Sequence, residues 1–278
     1  MNTDDGLHLS EAAANVVENL ATRVAQRHGG RLTPNHIVPY LPMSLALIKR
    51  CLDQMADGAS VVAEEQDGFV GYLFTAYKDA PVEDGVLDVT ACVSCDKDLE
   101  GAGAELLCSE CSALLRKELN RLAERTAWPA QAVYEHEILY RAAKHKGPVP
   151  PAAIAGESRY TLRSTRRKLD RLSLDRYARQ ELDQAAGLTK YCFPEISYPR
   201  ELYRKNMAVI RSYPASLMEE VQIKVVRIFA TLGVMLLGML ALAICTGIPF
   251  PFLMLLFLVA GPAVAFWIWR HREKPQDD

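Results

Sequence analysis

The sequence predicts a mainly helical α+β protein with a metal-binding module between two similar segments and a pair of apolar helices at the C-terminus. Three observations lead to this prediction. One pattern of three helices and a β-hairpin occurs twice, two CxxC pairs lie between its copies, and residues 228–269 contain no charged side chain. The chain of 278 residues is long enough for several such modules.

The first copy of the pattern occupies residues 1–80. Apolar side chains recur at helical spacing after Ser10, and Gly29-Gly30 ends that helix. A turn signal at Gln66-Asp67-Gly68 predicts a β-hairpin. The predicted elements are helices over residues 10–27, 32–37 and 44–55 and strands over residues 60–64 and 69–74.

The central module, residues 88–126, contains two CxxC pairs separated by twelve residues. The pairs are Cys92 with Cys95 and Cys108 with Cys111, and each places two thiols on one tight turn. This spacing predicts a tetrahedral Zn²⁺ site, and the segment resembles a zinc ribbon. Four cysteine ligands leave no open position, so the predicted role of the ion is structural. A rubredoxin-like iron site and a redox dithiol pair are the alternatives.

The second copy occupies residues 128–195, with helices expected over residues 130–144, 149–154 and 160–172. A shift of 117 residues, without a gap, places Gly30 on Gly147, Pro34 on Pro151, Ile37 on Ile154, Leu52 on Leu169 and Asp53 on Asp170. A further slip of two residues aligns the hairpins, with Tyr72 on Tyr191. Three helices followed by a β-hairpin resemble the winged helix-turn-helix fold. Two helical segments with coincidental spacing are the alternative.

The resemblance implies that the third helix of a copy is the candidate reader of the DNA major groove. In the second copy this helix and its surroundings are strongly basic, since residues 144–182 hold ten cations and four acids. Guanidinium groups can bind phosphates or guanine edges. Lys144 and Lys146 would extend the basic surface. The predicted nucleic-acid or anion-binding residues are Arg159, Arg163, Ser164, Arg166, Arg167, Arg171, Arg176 and Arg179. A solvated charged face, or a contact with anionic lipid or an acidic protein, is the alternative.

The first copy has the opposite charge. Residues 1–90 contain thirteen acids and six cations, and the predicted hairpin carries Glu64 and Glu65. Phosphate would be repelled by such a hairpin. Helical spacing places Leu45, Ile48 and Leu52 in the core and leaves Ala46, Leu47, Lys49 and Arg50 outside. We therefore expect the first copy to bind a protein partner or a second copy of the chain.

The uncharged run of residues 228–269 is long enough for two membrane spans, because one span needs about 20 residues. The segment Gly247-Ile-Pro-Phe-Pro251 interrupts it, which predicts a helical hairpin. Residues 196–227 are assigned to a juxtamembrane linker and residues 270–278 to a tail. Cations flank both ends of the hairpin: Lys224, Arg227, Arg270, Arg272 and Lys274. The two spans predict an integral membrane protein, which we assign to a bacterial inner membrane, and the positive-inside rule predicts that both termini are cytoplasmic. A buried soluble hairpin is the alternative.

The sequence contains none of the common catalytic motifs GxxxxGK[ST], GxGxxG after a strand, GxSxG or HExxH. His136 is expected to be a partly exposed helix residue rather than a metal ligand. The predicted function is therefore a non-enzymatic, membrane-anchored zinc protein, with DNA-binding transcription regulation as the leading role. A membrane-tethered adaptor is the alternative. The order of winged helix and zinc ribbon is also similar to the start of the large subunit of the archaeal and eukaryotic transcription factor E. The second copy and the apolar hairpin depart from that family.

Overall fold

The computed structural model describes residues 9–213 except 84, 86, 88–89, 100–105, 146 and 184–186. All of these belong to one compact unit, Met1–Met218. The apolar run of residues 228–269, its basic flanks, the tail and Lys146 lie outside the described residues. Within the described part, no helix is both long and apolar enough to cross a bilayer. The unit is α+β, with helices and two small antiparallel sheets, as the sequence predicts.

The first copy begins with α1 (Glu11–Arg27), which ends at two glycines with positive φ, Gly29 and Gly30. A Cβ on Gly30 would lie 2.7 Å from the Phe74 carbonyl oxygen, so this close approach of two backbones requires glycine. The remaining elements are β1 (Arg31–Leu32), α2 (Pro34–Ile37), α3 (Leu45–Met55), β2 (Val61–Gln66) and β3 (Phe69–Phe74). Strand β3 lies between β1 and β2 in an antiparallel sheet.

The central module contributes α4 (Ser109–Ala123), which packs against α1 and α5. The second copy follows with α5 (Trp128–Ala142), α6 (Pro151–Glu157), α7 (Leu162–Leu174), β4 (Arg179–Asp183) and β5 (Leu188–Cys192). Each predicted helix and hairpin of the two copies is present, with bounds shifted by a few residues.

The two copies share local details as well as element order. The N-cap hydroxyl of α3, Ser44, accepts a hydrogen bond from the backbone of Leu47, and Thr161 caps α7 in the same way. Leu32 pairs with Tyr72 in the first copy, and Val149 pairs with Tyr191 in the second. These partners coincide under the shifts of 117 and 119 residues found in the sequence. The two copies therefore share equivalent contacts as well as a similar sequence pattern.

The copies are packed against each other within the unit. The backbone amide of Leu45 donates a 2.7 Å hydrogen bond to the carboxylate of Glu135 on α5. The side-chain amide of Asn35 donates a 2.7 Å hydrogen bond to the Tyr177 carbonyl. Leu47, expected on the outer face of α3, is only 1% exposed. The expectation was wrong because α3 also packs against α5, which covers the face that helical spacing alone assigns to solvent.

Residues 200–212 depart from the predicted linker. They form α8 (Arg200–Ser212), which packs against α5 and has Leu202, Asn206, Met207 and Ile210 buried. Ring contacts join the two helices, since Tyr140 of α5 stacks on Tyr203 of α8 with 4.1 Å between ring centroids. The assigned linker therefore contains an ordered helix of the globular unit.

Candidate metal centre and basic helix face

The first cysteine pair lies on a short antiparallel turn. Ala91 bridges to Asp98, the Cys92 amide donates to the Lys97 carbonyl at 2.8 Å, and the Asp96 amide donates to the Cys92 carbonyl at 2.9 Å. Asp96 has a φ of 56°, a left-handed conformation that aspartate tolerates better than most residues. This tight reversal turns the side chains of Cys92 and Cys95 to the same side.

The second pair begins a helix. Cys108 is the N-cap residue of α4, Cys111 lies in the first turn, and the Ser112 amide donates to the Cys108 carbonyl at 2.9 Å. The N-terminus of a helix carries a partial positive charge. Thiolates are the form of cysteine that binds metal, so the start of a helix is a suitable place for two of the ligands.

The four sulfur atoms form one cluster. The Sγ atoms of Cys92, Cys95, Cys108 and Cys111 all lie within 4.8 Å of one another, and those of Cys95 and Cys108 are 3.7 Å apart. A tetrahedron with Zn–S bonds of about 2.3 Å has edges of about 3.8 Å, whereas a disulfide has an S–S distance of about 2.0 Å. The grouping of the predicted ligands is confirmed, and its dimensions fit a tetrahedral ion held by four thiolates.

The electrostatics of the cluster are uneven. Burial acts to raise the pKa of Cys92, but backbone N–H groups of Cys108, Ser94 and Cys95 lower this pKa to about 6. Burial raises the pKa of Cys111 to about 12. Four thiols so close together cannot all lose their protons unless a cation compensates the charge, and a bound Zn²⁺ would do so.

The turn that carries Cys92 and Cys95 in the central module contacts α1. Arg23 forms a 2.6 Å ion pair with Asp96, and Asn19 donates a 3.3 Å hydrogen bond to the Ser94 carbonyl. Beneath these contacts Val93 and Leu106 are buried, and the Val93 amide donates to the Leu106 carbonyl at 2.9 Å. These polar contacts could not be predicted from local sequence patterns, because they join residues more than seventy positions apart. The cysteine turn is thus part of the main core.

The predicted basic face lies on α7 and at its ends. Arg163, Arg166, Arg167 and Arg171 are exposed on one helix, and Ser164 is partly exposed. The opposite side of α7 is buried and carries Thr165, Leu169 and Leu172. Lys168 is also buried, with its ammonium 4.1 Å from the Tyr134 ring centroid and 4.8 Å from that of Tyr160. In the described part of the chain, Arg163 and Arg167 form no ion pair with a carboxylate.

The other predicted cations bind groups of the chain itself. Arg159 is 3.6 Å from the buried Glu137 carboxylate, and Lys144 is 3.7 Å from Glu157. Arg176 forms a 2.5 Å ion pair with Glu65, and Arg179 donates a 2.9 Å hydrogen bond to the Asp67 carbonyl. The structure brings four arginines together on α7 and places Arg176 and Arg179 against the hairpin of the first copy.

His136 is fully buried, contrary to the expected partial exposure, because Tyr198, just before α8, and Met43, just before α3, pack against its ring. Its Nε2 donates to the Met43 carbonyl at 2.9 Å, so its Nδ1 accepts from the Tyr198 hydroxyl at 2.6 Å. Burial lowers the pKa of His136 to about 4. Both ring nitrogens are engaged, and the residue is a structural link between the copies.

No protein-family model matches the chain, and a search of curated proteins finds no match.

Proposed function

We propose that this chain is a membrane-anchored, non-enzymatic zinc protein that binds nucleic acid through α7. The observation that carries the proposal is the exposed row of arginines on that helix, Arg163, Arg166, Arg167 and Arg171. Guanidinium groups bind phosphate oxygens through paired N–H donors, and neutralised phosphates supply most of the affinity of such interfaces. The resulting role is transcription regulation on duplex DNA.

Each copy, in this proposal, is a winged helix, with α7 as the recognition helix of the second. Three contacts fix that helix: the Thr161 cap, the aromatic rings around Lys168, and a hydrogen bond from Tyr191 to Asp170. A rigid support matters because phosphate contacts set the register of a protein on the duplex. The third helix of the first copy is packed against α5, so only the second copy offers this face.

Zn²⁺ is the proposed ion of the cysteine cluster, with a structural role. It would hold the turn of Cys92 and Cys95 against the start of α4, and the ion pair of Arg23 with Asp96 would transmit that order to α1. The proposed anchor is the uncharged run of residues 228–269, which would keep the nucleic-acid-binding unit at the cytoplasmic face of the membrane.

A membrane-tethered adaptor is the second candidate function. It is favoured by exposed leucines of the second copy at both ends of α7 and on its hairpin: Leu162, Leu174, Leu182 and Leu188. Exposed apolar side chains contribute to protein-binding surfaces when a partner covers them. An acidic protein that meets these leucines and the arginines of α7 would satisfy both features.

The deciding experiment is a titration of labelled duplex DNA with the full chain in a nonionic detergent, over a series of salt concentrations. The variant Arg163→Ala/Arg166→Ala/Arg167→Ala is expected to flatten the slope of log affinity against log salt by roughly three units, about one for each lost phosphate contact. Lys49→Ala/Arg50→Ala, on α3 of the acidic first copy, is the control and should leave the slope almost unchanged. Absence of DNA binding at low salt, with arginine-dependent binding to anionic liposomes, would replace nucleic acid by a lipid surface.

A further inference from the structure

The hairpin of the first copy contacts the residues between α7 and β4 of the second. The Arg176 guanidinium forms a 2.5 Å ion pair with Glu65, and the Val70 amide donates a 3.0 Å hydrogen bond to the Arg176 carbonyl. Beside them, Arg179 donates to the Asp67 carbonyl and lies over the ring of Phe69, 6.0 Å from its centroid. The acidic hairpin and the basic segment thus meet within one chain.

The backbone at this contact is unusual. Arg176 has a φ of 58°, in the left-handed region that few residues other than glycine adopt. Such a conformation is unfavourable and persists where surrounding contacts hold it. Here the hydrogen bonds that end α7, from the Arg176 amide to the Ser173 carbonyl and from the Tyr177 amide to the Leu172 carbonyl, hold the conformation, and the Val70 amide joins the same peptide group to the hairpin.

The ion pair itself is easily exchanged. The side chains of Arg176 and Glu65 are 62% and 55% exposed, and ion pairs in such positions contribute little net free energy. A phosphate oxygen accepts the same N–H donors as a carboxylate oxygen. Arg176 follows α7 directly in the sequence, so a polyanion that binds α7 would come near it. At that point the Arg176 guanidinium is already paired with the Glu65 carboxylate.

We infer that Glu65 competes with nucleic-acid phosphate for Arg176, so that the hairpin of the first copy limits the basic surface of the second. This inference rests on the proposed function. It gives the acidic first copy a role as an internal competitor, and it makes Glu65 a determinant of affinity although it lies on the other copy. Arg176 is available to phosphate only when this carboxylate is displaced.

A matched control lies next to Glu65 in the sequence. Successive strand residues point to opposite faces of a sheet, and Glu64 lies 3.9 Å from Arg31 of the first copy instead. Glu65→Gln and Glu64→Gln remove the same charge from neighbouring positions. Only the first change frees Arg176, so a difference between the two variants reports the specific contact and not the net charge.

The experiment measures affinity for duplex DNA over a salt series with the full chain and four variants: Glu65→Gln, Glu64→Gln, Arg176→Ala and Glu65→Gln/Arg176→Ala. Glu65→Gln is expected to bind several-fold more tightly at low salt and to steepen the salt slope by about 0.9, the value for one additional phosphate contact. Arg176→Ala removes the cation for which the two anions compete, so adding Glu65→Gln to Arg176→Ala should give no gain in affinity and no steeper slope. Unchanged thermal midpoints would establish that each variant is folded.

The outcomes separate this inference from the proposed function. If the wild type binds DNA and Glu65→Gln equals Glu64→Gln, the internal competition is wrong while the proposed function stands. If Glu65→Gln weakens binding, Glu65 positions Arg176 for phosphate and the inference is reversed. If neither the wild type nor Glu65→Gln binds DNA at low salt, the proposed function fails and the inference fails with it.

Discussion

The hydroxyl of Tyr191 donates a hydrogen bond to the carboxylate of Asp170, which joins the hairpin of the second copy to α7. The same contact exists in the first copy, where Tyr72 donates to Asp53 at 2.6 Å. Burial and the neighbouring carboxylate raise the pKa of Tyr191 to about 12, and the pKa of Tyr72 is raised for the same reasons. Each third helix is thus fixed to its own hairpin by one repeated polar contact, although the charges of the two copies differ.

Removal of this hydroxyl should destabilise the unit modestly. Tyr191→Phe removes this hydrogen bond and leaves Asp170 the one from Gln180, and the expected cost is about 1 kcal/mol. For a unit of this size that corresponds to a decrease of about 2–4 °C in the thermal midpoint. The measurement is thermal unfolding of the full chain. In Tyr191→Phe/Asp170→Ala the two losses should be less than additive, since each substitution alone already removes the contact; full additivity would contradict a direct interaction.

Metal removal should destabilise the central module and loosen its hold on α1. Cys95→Ser and Cys108→Ser each remove one of four ligands, and binding of Zn²⁺ by thiolates is coupled to folding. We expect about one Zn²⁺ per chain in the wild type, loss of bound zinc in both variants and a lower thermal midpoint. Elemental analysis of the purified chain provides the measurement.

Cys192→Ser is the control for this prediction, because Cys192 is buried on β5 and is not one of the four clustered cysteines. It should keep its zinc. Iron in place of zinc would show that the cluster is a redox centre, and a full zinc content in Cys95→Ser would show that a different set of ligands binds the ion.

Local patterns carried most of the fold prediction. The period of apolar residues predicted α1 and α3, the turn at Asp67-Gly68 predicted the first hairpin, and the CxxC spacing predicted the cysteine cluster. Each of these signals depends on residues that are close in sequence. Helix α8 had such a signal too, since Leu202, Asn206 and Ile210 recur at helical spacing. The abundance of proline and tyrosine around it obscured that pattern.

Contacts between the copies could not be predicted in this way. Helical spacing places Leu47 on the outer face of α3, but the side chain is buried. Arg176 was predicted to bind phosphate, but its guanidinium group forms an ion pair with Glu65. Glu135 and His136 would be exposed on a helix with one apolar face, but α5 is covered on several sides. The sequence does not reveal which surfaces of two modules meet, because that depends on shape and charge over distant residues.

Glu135 should make stability depend on pH. Burial raises the pKa of this carboxyl from 4.5 to about 7, although hydrogen bonds from Leu45 and Gln131 oppose the shift. The folded chain therefore holds the proton more tightly than the unfolded chain, and the stability from this group is present below about 4.5 and is lost as pH rises to about 7. Glu135→Gln removes this loss and keeps an acceptor for the Leu45 amide. We expect the variant to gain stability over the wild type as pH rises from 5 to 7.5.

The comparison must be a difference between variant and wild type at each pH. His136 acts in the opposite direction, because its lowered pKa makes the folded chain more stable as pH rises from about 4 to 6.5. This contribution is common to both proteins and cancels in the difference. Thermal midpoints at several pH values provide the measurement. A difference that does not change between pH 5 and 7.5 would show that Glu135 is ionised throughout this range.

The last prediction concerns the two ends of the chain. If residues 228–269 form two spans, the cations before and after them lie on one side, and the positive-inside rule makes that side cytoplasmic. A peptide tag before Met1 and another after Asp278 should both resist external protease in intact cells or sealed vesicles, and both should be cleaved after permeabilisation. The interruption at Gly247 and Pro249 is what permits the return of the chain. Cleavage of the C-terminal tag alone in intact cells would mean a single span. Extraction of the protein by alkaline carbonate would mean that the run does not cross the membrane, and the unit with its α7 arginines would then act without an anchor.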